Sequence, residues 1–342
     1  MAAATVDYSK ALTIKDWADQ SNEPAAKAIA KSVLQTVSIL DDLKLKTDPS
    51  MIVRVPRITE QTIPTMAWGQ INDGPTTIKT TVEPYEESLH YVREIIPIDR
   101  QQLRQKNWID DPIQTQITGA MAGHVFGIND AFINGDPTTN IKSLIGLKYR
   151  VQNASTFGVA SGLNIDAGVT MTTAMTQANA LTWREKLAQA FAYLGSSDGE
   201  GCVAYCNWLS KERWARANVL GYNGLGFSIM KDQYDRQVEM FRKCKVVDLG
   251  FKLGNTSTPI ISYTENASGV EQGGTTIGYT SIYIVKYDEN HMQGWQSDIL
   301  KPEYLGRSTE TGVFENILFD WGMGIYHNNN RSFVRLYDIQ LA

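Results

Sequence analysis

The stretch "INDAFINGDP", residues 128–137, decides how the rest of the chain is read. Asp130, Asn134 and Asp136 around Gly135 have the look of a calcium loop, and they equally suit the stop signal of a long helix. A calcium loop of this type needs oxygen ligands at positions one, three and five, glycine at six and Glu at twelve. Counted from Asp130, the third residue is Phe132, whose side chain has no oxygen. Upstream, Asp111, Pro112 and Gln114 supply an N-cap, a first-turn proline and a capping-box partner. From there Ile113, Ile117, Ala120, Met121, His124, Ile128 and Ala131 keep one face apolar until Asn134, Gly135 and Pro137. Glycine accepts the left-handed conformation that ends helices, and a proline soon after prevents resumption. The sequence therefore predicts a helix over 112–134, about 35 Å long at 1.5 Å per residue. Gly119, Gly123 and Gly127 recur every four residues on its other face. Each costs up to about 1 kcal/mol relative to alanine, so the row predicts very close packing there, with the helix lying against a sheet.

Working outward, residues 52–98 have strand texture: "MIVRVPRI" leads out, "SLHYVREIIPI" comes back, and Asp73, Gly74 and Pro75 form a turn signal between them. With about 20 residues per limb such a ribbon reaches roughly 65 Å if fully extended. A lone two-stranded ribbon has two unpaired edges and no opposed apolar face, so its own domain or a neighbouring molecule must cover it. Before it, Pro24 and the stripe Ile29, Val33, Val37 and Leu40 predict an apolar-faced helix that also needs a partner surface. After the long helix, "DPTTNIKSLIGLKYR" reads as a loop leading into a short element, and "QNASTFGVASGLNIDAGV" as a Gly/Ser-rich connector. Thr182 with Glu185 predicts a capped helix whose Leu187, Ala190, Phe191 and Leu194 share a face, closed by Gly195. A strand around Val203 follows, then a short helix near 210–217 with Trp208 and Trp214 as core anchors, then mostly strands.

With 342 residues, the chain has room for one elaborated domain or two moderate ones. A 42% hydrophobic and 20% charged composition places it among folded soluble domains. The net charge of −5, with no long run of Lys and Arg, disfavours tight nucleic-acid binding, and no apolar run approaches the eighteen residues of a membrane span. The N-terminal residues carry neither a basic nor an apolar signal region, which predicts synthesis in the cytoplasm.

Residue patterns for catalysis are missing as well. Cys202, Cys206 and Cys244 are too few for a disulfide framework, and a strand through "CVAYC" puts its two sulfurs about 13 Å apart. They read as buried structural thiols. His90, His124, His291 and His327 are scattered; His124 falls on the apolar helix face as a satisfied core histidine, and His327 in a capped turn. "GYNGLG" carries Gly221, Gly224 and Gly226 in the wrong order for dinucleotide binding, and follows a helix rather than a strand. Glu86 and Glu87 are adjacent, so they point to opposite faces of a strand and cannot act as an acid/base pair. Asn153 and Asn330 open glycosylation-type patterns that mean nothing without secretion. No catalytic, cofactor-binding or metal residue is assigned, and no enzyme activity is expected.

The order of parts, with "REIIPIDR" leaving the hairpin, "NDAFINGD" closing the helix and "GMGIYHNNNRSFVRLYDI" near the end, resembles the major capsid proteins of tailed bacteriophages, the Hong Kong 97-like fold. The resemblance implies an α+β fold with an N-terminal arm at 1–51 and an extended loop at 52–98 that overlies the adjacent subunit. It implies a peripheral domain at 99–154 and 297–342 with spine helix 112–134, and an axial domain at 155–296. The implied function is a structural subunit that self-assembles as pentamers and hexamers into an icosahedral shell around double-stranded DNA, with portal, scaffolding or decoration proteins as further partners. The implied location is the virion, and the host cytoplasm during assembly. An encapsulin-like bacterial compartment is the alternative on the same fold. Some members crosslink a loop lysine to an asparagine; Lys79 is a loop lysine, with no identifiable partner.

Overall fold

The long helix forms over Pro112–Asn134, the predicted span. A computed structural model describes residues 39–57, 68, 74, 77, 82–99, 112–222, 227–231, 237–255, 257–272, 276–298, 302–307 and 314–342. The Asp111 cap, the turn at Asp73 and Pro75, Lys79 and the helix proposed around Ile29–Val37 lie outside these residues. The helix buries Ile117, Met121 and Val125 with Ile98, Ile317 and Phe319, while Ile128, Phe132 and Ile133 enter a second, larger core. Val125, Phe132 and Ile133 thus join the predicted apolar stripe, with Ala120 and Ala131 packed half-buried at its edges.

The strands are β1 (Leu45–Thr47), β2 (Ile52–Arg57), β3 (Glu83–Ser88), β4 (His90–Asp99), β5 (Asn164–Thr170), β6 (Cys202–Cys206) and β7 (Phe227–Lys231). They continue with β8 (Gln237–Phe241), β9 (Cys244–Asp248), β10 (Tyr279–Lys286), β11 (Met292–Gln296), β12 (Pro302–Arg307), β13 (Phe314–His327) and β14 (Phe333–Gln340). Among the described residues they make a five-stranded sheet of β1, β11, β13, β12 and β4, a seven-stranded sheet ordered β5-β14-β10-β6-β9-β8-β7, and the ribbon β2-β3. Helices Gln177–Tyr193 and Trp208–Tyr222 pack on the seven-stranded sheet through Trp183 and Trp214, whose rings meet edge-on at 5.3 Å. The far end of the long helix reaches the same sheet at Tyr205, 6.1 Å from Phe132. With partners on both faces, every residue of β6 is buried.

Several sequence expectations are corrected here. The return limb of the ribbon is β3 alone, in register Ile52↔Ser88 to Arg57↔Glu83. The run at 90–99 leaves it and pairs with β13 from Met323↔His90 to Phe314↔Asp99. The strands β13 and β14 are consecutive but lie in different sheets, so residues 333–340 do not complete the sheet under the long helix. Conversely β11, inside 155–296, pairs with β13. The expected connector at 152–169 contains β5. The helix expected to start at Thr182 starts at Gln177, capped by the Thr176 side chain, which accepts from Asn179 N–H at 3.3 Å. Thr182 instead donates back to Ala178 O. Trp214 is a core anchor, but Trp208 is largely exposed. Leu40 sits in a 3-10 turn, Ile39–Asp41, packed into the chain's own core.

The helix stop shows why local signals can be right for the wrong reason. Asp136 accepts from Thr138 N–H and Oγ at 2.8 and 2.6 Å, a turn rather than a ligand set, and these bonds hold its carboxyl below the usual range. Gly135, however, is not left-handed. A Cβ there would fall on the Leu144 carbonyl oxygen, and one on Gly146 would lie 2.5 Å from Gly135 N. Two backbones touch at these glycines, joined by Gly146 N–H donating to Gly135 O at 2.8 Å. Asn134 then donates to Ile260 O at 2.7 Å, and Asn129 accepts from Ile39 N–H at 3.1 Å, so the motif ties the helix end to two other segments.

Gly119, Gly123 and Gly127 behave in the opposite way. Among the described residues nothing lies within 4 Å of a Cβ built at 119 or 127, and only Leu253, at 3.8 Å, near one at 123. The predicted tight packing is absent among the described residues. Gly135→Ala is therefore expected to cost roughly 1–3 kcal/mol as an overpacked site, whereas Gly127→Ala is expected to stabilise by up to about 1 kcal/mol. Urea unfolding of the two variants beside the parent checks both signs.

Candidate assembly surface

The ribbon must be held at its base if it is to act on anything else. Adjacent Glu86 and Glu87 do point to opposite faces: Glu86 is exposed and pairs with Arg54 across the ribbon at 2.8 Å, while Glu87 is buried. Glu87 takes two parallel bonds from Arg150, 2.6 Å from Nη1 and 3.0 Å from Nη2. Arg150 is fully buried, and its remaining donors reach Ile145 O at 3.0 Å and Ile325 O at 3.4 Å. That completeness is what allows two charges to be taken out of water. His327 is not in a turn but ends β13, fully buried. Its Nε2 faces Phe157 O at 3.1 Å, and a carbonyl can only accept, so Nε2 carries the proton. Nδ1 is left facing Arg150 Nη1 at 3.5 Å. Tyr85 lies over Gly158, where a Cβ would meet its ring at 2.5 Å, and Val55 packs with Leu89, Trp295 and Tyr326.

A second buried pair pins the end of the chain. Arg335, the arginine of "RSFVRLYDI", donates to Glu265 at 3.2 Å, to Gly269 O at 2.6 Å and to Ser281 Oγ at 3.0 Å. It holds the 264–272 loop onto β14 and β10. The three cysteines are free and buried. Burial pushes the Cys202 thiol up to about 11 and raises those of Cys206 and Cys244 as well, which makes them poor nucleophiles. His291 bonds Asp288 at 2.6 Å, and the two asparagines of the glycosylation-type patterns lie within the described fold. Of "GYNGLG", Gly224 and Gly226 lie outside the described residues. Among the described residues no group of three His, Cys, Asp or Glu is placed to hold a metal, and no helix is long and apolar enough to cross a membrane.

What the protomer does present is open edge and exposed apolar surface. In the five-stranded sheet β4 pairs only with β13 among the described residues, and it carries exposed Tyr91 and Ile95. Pro97 within it suits an edge strand, which needs no donor on its outer side. The β12 edge carries Tyr304 and Leu305, and β7, at the end of the other sheet, carries Ile229 and Met230. Edge strands with exposed apolar side chains are templates for another chain. Between β4 and the glycine row of the long helix runs a groove of about 410 Å³. His124 lines it, with its side chain 10% exposed and its Nε2 3.6 Å from the Glu94 carboxylate, beyond hydrogen-bond reach. The expectation of a satisfied core histidine fails in part, since this Nε2 has the Glu94 carboxylate nearby but no hydrogen-bond partner among the described residues. Nothing in the sequence signalled the groove, because its walls are some 30 residues apart in the chain and glycine rows usually mean contact.

No family model matches the chain, and no curated relative does. Solved structures do. The SrpI encapsulin of Synechococcus elongatus PCC 7942 superposes with a TM-score of 0.56 at 11% identity, covering 87% of this chain and 85% of that one. A chain of Mycobacterium phage Adephagia gives 0.53 at 10% identity over 90% and 91%. The capsid of cyanophage P-SCSP1u gives 0.51 at 10% identity over 90% and 89%. The chain has the Hong Kong 97-like capsid fold. The shared fold spans nearly the whole length of the chain, while the sequences are only 10–11% identical.

Two outcomes follow from the charges. Glu87→Gln or Arg150→Met leaves a buried charge uncompensated and is expected to cost about 3–5 kcal/mol in urea unfolding. Arg54→Ala, at an exposed pair, is expected to change stability by less than about 1 kcal/mol. His90 and His124 both sit below the ordinary imidazole value because burial strips water from the charged form. The unfolded chain then binds these protons more readily, so their contribution is intact above about pH 6.5 and is lost as pH falls below it. Melting curves between about pH 7 and pH 5 are expected to show that slope, made shallower by His124→Gln.

Proposed function

We propose that this chain is the major capsid protein of a tailed bacteriophage, self-assembling into an icosahedral shell that encloses double-stranded DNA. The observation that carries this is a capsid fold spanning about nine-tenths of the chain, together with open sheet edges that suit repeated subunit contacts. On this reading residues 1–51 are the N-arm, 52–98 the extended loop, 99–154 and 297–342 the peripheral domain, and 155–296 the axial domain. Sheet membership argues for moving β11 to the peripheral part and β14 to the axial part. Many weak contacts per subunit sum to a stable closed shell, and a net charge of −5 keeps the wall from trapping DNA phosphates. Portal, scaffolding or decoration proteins complete the partners, and the site of action is the virion, reached from the host cytoplasm.

An encapsulin-like compartment is the second reading, favoured by the superposition on SrpI. A terminase or portal gene beside this one supports the capsid; a cargo enzyme with a docking tail supports the compartment. Negative-stain microscopy and sizing chromatography of the purified protein are expected to show closed shells or capsomers. A chain that stays single at high concentration sinks both readings.

A further inference from the structure

Among the described residues the glycine row is a cost without a benefit. Three glycines on one helix face each sacrifice up to about 1 kcal/mol of helix stability, yet among the described residues a Cβ would find open space at Gly119 and Gly127 and only van der Waals contact at Gly123. The groove beside Gly123 and Gly127 is walled by Tyr91, Trp321 and Leu253. One buried polar atom lines it without a hydrogen bond among the described residues, His124 Nε2, with the Glu94 carboxylate 3.6 Å away. A buried ring nitrogen without a bond is costly, and so it points to a ligand supplied from outside.

The chain also carries a side chain of the complementary kind. Trp68 is 89% exposed, so it fills no groove of its own protomer. It lies eleven residues beyond Arg57, the last described residue of β2. Indole is flat and apolar, and its N–H is a donor with no acceptor function. Neutral His124 with its proton on Nδ1 presents Nε2 as the matching acceptor. The missing Cβ atoms at 123 and 127 give such a ring depth to enter. Exposed tryptophans that enter pockets are the side chains on which interfaces most often depend.

We propose that Trp68 of one copy docks into the groove between the glycine row and β4 of a second copy, its indole N–H donating to His124 Nε2. This rests on the shell reading and names the residues of one subunit contact within it.

The test mixes two singly substituted proteins, Trp68→Cys and Gly127→Cys. The native thiols are buried and stay silent. After mild oxidation, a non-reducing gel is expected to show a disulfide-linked dimer in the mixture well above that of either variant alone. Gly127→Leu fills the groove while improving helix propensity. It is expected to keep or raise unfolding stability and yet weaken subunit association roughly thirtyfold, as is Trp68→Ala, the two together doing no more than one. Absence of the mixed dimer, or normal assembly by Gly127→Leu, overturns the proposal. If the parent forms shells while these tests fail, only this contact is wrong. If the parent never associates, the shell reading falls with it.

Discussion

The structure depends on one strand, β13, whose fourteen residues bring three parts of the chain together. Along one side it pairs with β4 for ten residues, and along the other it is shared end to end by β12 and β11. The long helix lies across it through Ile117, Met121 and Val125 against Ile317 and Phe319. At "GMGIYH" two glycines let neighbours cross its face: a Cβ on Gly324 would enter the Trp295 ring directly opposite, and one on Gly322 would lie 2.9 Å from the Tyr91 ring. The glycines weaken the strand locally and are compensated by an aromatic side chain lying in each gap.

From the end of β13 the chain turns through 328–332 and enters the other sheet as β14. Each side of that crossing carries a buried arginine, Arg150 beside His327 and Arg335 on β14, and each arginine is bonded to a glutamate and to at least one backbone carbonyl. Such pairs add little net stability compared with apolar substitutes, but one partner cannot leave without stranding the other. They therefore fix geometry: Glu87 sets the base of the ribbon against the body, and Glu265 sets a loop against the last strand. A rigid body with a ribbon fixed at its root suits a part that must meet identical parts at repeatable angles.

Legibility in the sequence followed the range of the interaction. The long helix was legible because its signals, a periodic apolar face and a polar stop at Asn134, lie within one or two turns of each other. The opposed directions of Glu86 and Glu87 followed from the two-residue period of a strand, and the burial of the two thiols in "CVAYC" from the general habit of free cysteine. The partner of residues 90–99 was not legible. Period two says which side chains share a face, but carries no label for a strand more than 200 residues away, and a neighbouring ribbon limb was the cheaper guess. His124 was misread for the same reason: its place on the helix was right, and the empty groove before it depends on where β4 lies.

By itself, the sequence determined the long helix and its end, many of the strands, the inert thiols, and an order of parts resembling a capsid subunit, most of them properties set by neighbours within a few residues. Only the tertiary structure decided that consecutive strands β13 and β14 belong to different sheets, that Gly135 is required by a carbonyl rather than by its own dihedral angle, and that the glycine row faces open space. Those outcomes depend on contacts between residues far apart in the chain, where the closeness of two backbones is fixed by the packing of the whole body rather than by any local pattern.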